Sequence, residues 1–325
     1  MDRDEKVKAL SQKLLDGVRQ TFDSNHFKKY LKAVSVFHSY SARNVELIFL
    51  QRPDAAYVAG YEAWKKLGRF VRRGEKGILI FAPSKATVKR EEPLLDEDGN
   101  QKLDENGDPL TEVKNETRIR FLAVPVFDVS QTDGGPLPAL CNELQGAVPD
   151  FQKIFNAVQS ISPYRIVFEN LPEDKKGRCD YADEKIAIKL GMSDEQIVKT
   201  LIHEFAHATL HSGTKKSREQ KEIEAESIAF IVSDFLGIDT SGYSFDYVSS
   251  WSYGMKTEQL QDVLENIQDS ANEIIGKIQT AMEALEKTPE HAPKKLPERL
   301  TAAVKKSERL NVEKEMMPDA KMLVQ

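Results

Sequence analysis

Cysteine is almost absent from this 325-residue chain, with only Cys141 and Cys179 present. Two thiols build no disulfide framework, and neither stands at a zinc-finger spacing from a histidine. Both read as ordinary thiols in a reducing compartment. Long apolar runs are missing as well: none approaches the ~18 residues needed to span a bilayer. The N-terminus, Met1 to Lys6, leads into an amphipathic helix with no apolar signal core. These absences predict a cytoplasmic protein with no membrane partner. A strong charge of one sign is lacking too, because the net charge is only −6, although its distribution is uneven. What is present is 40% hydrophobic residues, enough for buried cores, with 30% charged residues and a mean hydropathy of −0.49. That balance is soluble, and the length suits two domains with appendages.

The most informative stretch is Thr200-Leu201-Ile202-His203-Glu204-Phe205-Ala206-His207-Ala208-Thr209-Leu210-His211. It places His-Glu-x-x-His inside an apolar helical pattern, opened by Ser193-Asp194-Glu195-Gln196 as a capping box. Positions i and i+4 share a helix face, so His203 and His207 can aim two imidazoles at one metal ion. Glu204 leans to the same side and suits general-base work on a water without being a ligand. One zinc ion per chain fits two neutral imidazoles and a carboxylate, with a fourth position left open.

The carboxylate is expected from the next helix, which contains Glu219 to Val232 and ends at Gly237. Glu222 and Glu226 are i and i+4 and share a face, whereas Glu224 lies about 200° from Glu222 and points elsewhere. One of this pair can bind metal while the other orients a ligand histidine; Glu222 is chosen as the third ligand and Glu226 as the support, with the reverse as the alternative. His211 is a rival ligand, but three histidines at i, i+4 and i+8 of a straight helix span about 12 Å, too far for one zinc. His211 is read as supporting or packing. Tyr243, in the aromatic run Tyr243 to Trp251, either walls the cleft and donates to an oxyanion or packs in the core.

Upstream, helices are predicted over Lys6 to Arg19, Phe27 to Val36, Ser41 to Leu50 and Tyr61 to Leu67. Two β-type runs flank Gly74-Glu75-Lys76-Gly77 and predict a hairpin, with Arg118 to Phe127 as a further strand. Between Tyr57 and Gly77 the cations Lys65, Lys66, Arg69, Arg72, Arg73 and Lys76 face only Glu62 and Glu75, and Tyr57, Tyr61, Trp64 and Phe70 are interleaved. Cations that follow phosphates and rings that stack bases suit single-stranded DNA. A solvated basic face above an aromatic core fits the composition equally well.

An acidic insertion, about 85–117, carries Asp96-Glu97-Asp98-Gly99-Asn100 and Asp104-Glu105-Asn106-Gly107-Asp108. Calcium-loop geometry needs a glutamate at the twelfth position, where these segments put Gly107 and Asn115. The insertion is therefore predicted as a mobile surface loop. Gln131 to Pro138 reads as a linker. Beyond it come a helix over Asp150 to Ser160, strands over Tyr164 to Phe168 and Lys185 to Lys189, and a long helix from Thr257 to Leu285. The stretch from Lys287 onward is rich in proline and charge and predicts disorder or a weak helix.

Tyr40-Ser41-Ala42-Arg43-Asn44, Val58-Ala59-Gly60-Tyr61 with Trp64, Leu67-Gly68-Arg69, Arg73-Gly74-Glu75-Lys76-Gly77 and Val126 to Thr132 together resemble the N-terminal domain of ArdC-like (LtrC-like) antirestriction proteins. His203-Glu204-x-x-His207 with Glu222-x-x-Ala225 resembles ImmA/IrrE-like and ArdC zinc metallopeptidases. The resemblance covers roughly three quarters of the chain. It implies a protein of plasmids and other mobile elements whose N-terminal domain binds single-stranded DNA. Tyr40, Arg43, Asn44, Tyr61, Trp64, Lys65, Arg69, Arg72, Arg73 and Lys76 are the residues assigned to that DNA. It also implies Glu222 as the metal-binding glutamate.

The expected fold is α+β: a small DNA-binding domain over 1–135, then a zincin-like metallopeptidase domain over 136–255. A long helix over 256–286 and a disordered tail over 287–325 complete it. The expected function is hydrolysis of peptide bonds in an unknown protein substrate by a zinc-activated water. The alternative is a non-proteolytic DNA-binding antirestriction protein whose zinc is structural.

Overall fold

Near the N-terminus, alternating apolar and charged positions produce three helices: α1 (Arg3–Thr21), α2 (Ser24–Val36) and α3 (Ala42–Gln51). Pro53 lies just past the end of α3, where a proline cannot extend the helix. The structure, a computed structural model, describes residues 3–94, 101–103, 109–135 and 150–287. Within them follow β1 (Val58–Ala59), α4 (Tyr61–Lys66), β2 (Arg69–Val71), β3 (Ile78–Pro93), β4 (Thr111–Asp128) and β5 (Thr132–Gly134).

The hairpin expected around Gly74-Glu75-Lys76-Gly77 does not form. β2 pairs with β5, while β3 pairs with β4, so the turn passes between two sheets. Gly74 supplies the left-handed backbone (φ 89°) that this crossing needs. Glu75 ties the crossing down by accepting from Arg72 at 2.7 Å and from Gln131 at 3.0 Å.

The mobile loop expected over 85–117 is also corrected. β3 and β4 stay paired from Ile78↔Val126 out to Pro93↔Thr111, a long two-stranded ribbon. Cross-strand charge supports its outer part, with Lys114 donating to Glu92 at 3.0 Å. The Asp96–Asn100 and Asp104–Asp108 segments lie outside the described residues, as do Cys141, Pro136 to Pro138 and the tail from 288. The start of the expected Gln131–Pro138 linker is instead part of the fold, since Thr132–Gly134 form β5.

The C-terminal half holds α5 (Phe151–Ile161), β6 (Arg165–Glu169), β7 (Gly177–Asp180), β8 (Lys185–Lys189), α6 (Asp194–Leu210), α7 (Arg218–Phe235), α8 (Val248–Ser252) and α9 (Thr257–Lys287). The sheet order is β6-β8-β7, with β6 parallel to the central β8 and β7 antiparallel at the edge. β7 was not foreseen, because an edge strand of four residues beginning with glycine carries little apolar pattern.

α6 lies on this sheet and packs against α5 and α7. Helix α9 presents a stripe including Leu260, Val263, Leu264, Ile267, Ile274 and Ile278 to α1, α3, α5 and α7. Buried residues from both halves therefore form one core. The Phe27 and Phe245 rings meet at 5.3 Å across it, and Lys28 donates to the Tyr243 carbonyl at 2.7 Å. Among the described residues no helix is long and apolar enough to cross a membrane.

Candidate metal centre

Ser193 caps α6 by accepting from the Gln196 amide at 3.3 Å, and buried Ile197, Val198, Leu201, Ile202 and Phe205 fix the helix in the core. That leaves Thr200, His203, Glu204 and His207 facing a cleft of about 890 Å³. Ser217 caps α7 in the same way, accepting from Gln220, and α7 brings Glu222 to the cleft. His203 Nε2 and His207 Nε2 are 3.1 Å apart, and Glu222 Oε2 is 3.6 and 3.5 Å from them. A tetrahedral ion with bonds of about 2.0–2.1 Å needs donors about 3.3 Å apart, so this triangle fits one metal ion. The donor set of two imidazoles and a carboxylate suits the same ion.

The electrostatics agree with that geometry. The two histidines hold the Glu222 carboxyl far below the usual range, against the effect of burial. Burial opposes a charged His203, but Glu222 and Glu204 outweigh it and raise its pKa. Glu204 lies beside the triad and is nearly buried. Burial raises its pKa, the two histidines pull it back, and the Cys179 amide donates to its carboxylate. Burial, with Glu204 and Asp180 nearby, pushes the Cys179 thiol up to about 12, so it stays protonated.

Two residues that shape the site escaped the sequence reading. Gly177 opens β7 directly against α6. A Cβ there would stand 2.6 Å from Thr200 Cγ2 and 2.7 Å from Glu204 Oε1, so only glycine leaves Glu204 its place. No sequence signal marks it, because the short edge strand it opens carries little apolar pattern.

The second is Glu224. The assignment of Glu226 as the support for a ligand histidine is corrected: Glu226 accepts from Tyr247 at 2.6 Å instead. Glu224, expected to point elsewhere, is fully buried and bonds His211 Nε2 at 3.0 Å. His211 Nδ1 in turn lies 2.9 Å from His207 Nδ1. The pattern assigns a proton to His207 Nδ1 and another to His211 Nε2, which leaves the His207 Nε2 lone pair facing the site. Lys216 and Gln220 complete the Glu224 shell at 2.7 and 3.0 Å. Tyr243 lines the cleft and also packs edge-on against Phe230 at 5.5 Å.

The residues assigned to DNA divide sharply. Trp64, expected as a stacking platform, is fully buried and donates from Nε1 to the Phe127 carbonyl at 2.8 Å, so no base can reach its face. Asn44 is buried and bonds the Phe81 backbone in both directions at 2.9 and 2.8 Å. Tyr40 donates to the Val58 carbonyl at 3.0 Å, and Arg43 pairs with Glu265 at 2.7 Å. Trp64, Asn44 and Tyr40 hold the fold together, whereas Arg43 forms a surface ion pair with its side chain 59% exposed. Arg69 lies 6.0 Å from the Trp64 ring and donates to Thr132 and to the Gly135 carbonyl, while Arg72 is engaged by Glu75. Tyr61, Lys65, Arg73 and Lys76 are exposed, as is Phe70.

The fold is thus a mixed α+β chain that brings two histidines and a glutamate together as a site for a metal ion. Comparison with known proteins adds the following. Residues 5–124 match the family model for the N-terminal domain of anti-restriction factor ArdC. An uncharacterized protein of Bacillus anthracis is 24% identical over 87% of this chain and 53% of its own length. Two Escherichia coli proteins named DNA primase TraC are 26% and 27% identical over 67% and 62% of this chain, but over 15% and 19% of their own. The chain thus spans about half of the Bacillus relative and under a fifth of either primase. Crystal structures of the antirestriction ArdC protein from the R388 plasmid are similar over 75% (metal-free) and 78% (Mn(II)-bound) of this chain. They cover 86% and 97% of those chains, at 22% and 21% identity and TM-scores of 0.46 and 0.41.

Proposed function

We propose that this chain is a zinc-dependent peptidase of zincin type joined to a single-stranded-DNA-binding region, acting in antirestriction. The observation that carries the reading is the openness of the triad. A structural zinc site is closed by four protein ligands, whereas three donors facing a cleft leave a position for a reactant. The Glu222 side chain is 46% exposed, on the cleft side of the triad. Zinc held by His203, His207 and Glu222 would supply Lewis-acid chemistry, polarising a carbonyl and acidifying a water.

The chain's own residues do the rest. Glu204, with its pKa raised by burial, takes a proton and returns it to the leaving amine. His211 and Glu224 keep His207 in one tautomer. Tyr243, whose hydroxyl is held up at about 12 by burial, stays protonated and can donate to an oxyanion at the cleft wall.

For the N-terminal part, the family match over 5–124 and the relatives named as DNA primases support a DNA partner. Exposed Tyr61 and Phe70 beside Lys65, Arg73 and Lys76 suit a single strand, whose bases are free to stack. The test is zinc content of the full chain together with hydrolysis of unfolded protein substrates, with and without chelator. Stoichiometric zinc and chelator-sensitive cleavage are expected. Stoichiometric zinc that raises the melting temperature, with no cleavage of any substrate, would favour a structural ion instead.

A further inference from the structure

The cleft over the triad is basic in a chain that is acidic. The chain carries a net charge of −6, yet seven lysines and arginines line the cleft against four carboxylates. Three of those carboxylates, Glu204, Glu222 and Glu226, belong to the triad and its surroundings, which leaves only Asp174 away from it.

Some of the cations are occupied by the fold. Lys199 is held by Glu195 at 2.6 Å, Lys216 by buried Glu224 at 2.7 Å, and Arg178 lies 3.9 Å from Glu169. Lys175, Lys176, Arg218 and Lys221 form no salt bridge with a carboxylate among the described residues, although the charge of Arg218 acts on neighbouring Glu219. Lys176 donates to the neutral Gln196 at 3.1 Å, and Lys221 rests 5.8 Å from the Tyr181 ring centre. Their placement is two-sided. Lys175 and Lys176 lead into β7, which meets α6 at Glu204, whereas Arg218 and Lys221 open α7, which meets α6 at Glu222. Like charges gathered in one cleft repel each other, and they focus the field on an anionic ligand.

We propose that the cleft selects peptide segments rich in aspartate and glutamate, with Lys175 and Lys176 taking one flank of the scissile bond and Arg218 and Lys221 the other. The inference rests on the peptidase reading above. A peptide is favoured over a nucleic acid because both tyrosines lining the cleft are engaged, although Tyr181 keeps 38% exposure. Tyr181 lies under Lys221, and Tyr243 packs on Phe230 and Phe245.

The experiment uses the full-length, zinc-loaded Glu204→Gln chain and dye-labelled peptides that share an alanine–leucine core. Their flanks are acidic, serine or lysine, and a labelled oligothymidine serves as the nucleic acid. Fluorescence anisotropy at low and high salt should show the acidic peptide bound at least about tenfold more tightly than the serine peptide, with the advantage shrinking as salt rises. Lys175→Ser with Arg218→Ser, and separately Lys176→Gln with Lys221→Gln, should each remove most of that advantage without lowering the melting temperature.

Equal affinity for the three peptides overturns the inference. So does an acidic preference that survives loss of these cations, or an oligothymidine held through them more tightly than the acidic peptide. Acidic peptides that bind as stated but are never cleaved by the wild-type chain overturn the peptidase reading and leave the charge selection standing. Cleavage indifferent to flank charge does the reverse.

Discussion

Helix α6 and the stretch from Tyr57 to Gly77 both carry suggestive side chains, and the fold treats them in opposite ways. On α6 the four-residue spacing itself brings His203 Nε2 and His207 Nε2 to 3.1 Å, because a helix measures its own geometry. Over 57–77 the outward face is decided by distant partners. Trp64 turns inward to the Phe127 carbonyl, 63 residues away, and β2 pairs with β5 rather than with its neighbour β3. Chemistry written at helical spacing can be located from sequence. Chemistry spread over short strands and turns cannot be sided until its partners are known.

The largest effect that would break this contrast sits at Trp64. Trp64→Ala should cost about 3–5 kcal/mol, because it opens a cavity and orphans the Phe127 carbonyl. Exposed Tyr61→Ala should stay within about 0.5 kcal/mol in the same denaturant melt. A stable Trp64→Ala chain with weakened DNA binding would return Trp64 to the binding face.

The N-terminal and C-terminal halves also each bury a carboxylate, Glu46 on α3 and Glu224 on α7, and these behave oppositely. Burial pushes Glu46 up to about 8; Thr21, at 3.4 Å, only partly offsets this, and Glu265 adds to it. Burial opposes ionisation of Glu224 too, but His211, Lys216 and Gln220 outweigh it and hold its pKa down. Glu46 keeps its proton in the folded state at pH values where the unfolded chain has lost it. Its contribution is therefore complete below about pH 4 and is lost as pH rises through about 8. Glu46→Gln should flatten the fall in melting temperature between about pH 4.5 and 8 and change little below about pH 4. An unchanged pH profile would show Glu46 to be solvated.

At the metal centre, Glu224→Gln and His211→Ala should each weaken zinc affinity by about 10–100-fold, read by competition with a chelating dye. Glu226→Gln should change it less, since Glu226 bonds Tyr247. The reverse order would restore Glu226 as the supporting group. A comparable effect is expected on DNA. Tyr61→Ala should reduce affinity for a labelled oligothymidine by about 1–3 kcal/mol and leave duplex binding unchanged. Equal losses for both forms would argue for phosphate contact without stacking.

Much of the scaffold was legible, and the exceptions share a cause. Helices α1 to α7 and α9 follow apolar periodicity and caps such as Ser193, while β6 and β8 are apolar runs. Strand partners were not legible, since Arg69 to Val71 and Ile78 to Pro83 carry no signal of which strand each will meet. Glu224 was misread for a related reason. An angle on one helix says which residues share a face, but not that α6 extends far enough for His211 to meet a second face of α7. Gly177 was invisible because the close approach it permits lies between β7 and α6.

The most direct test compares zinc content and peptide hydrolysis in Glu204→Gln and Glu222→Ala beside the wild-type chain. If the triad is an open catalytic site, Glu204→Gln keeps one zinc per chain and loses at least about 100-fold in cleavage rate. Glu222→Ala then loses both zinc and cleavage. Wild-type cleavage in a zinc-loaded Glu204→Gln chain would contradict the account.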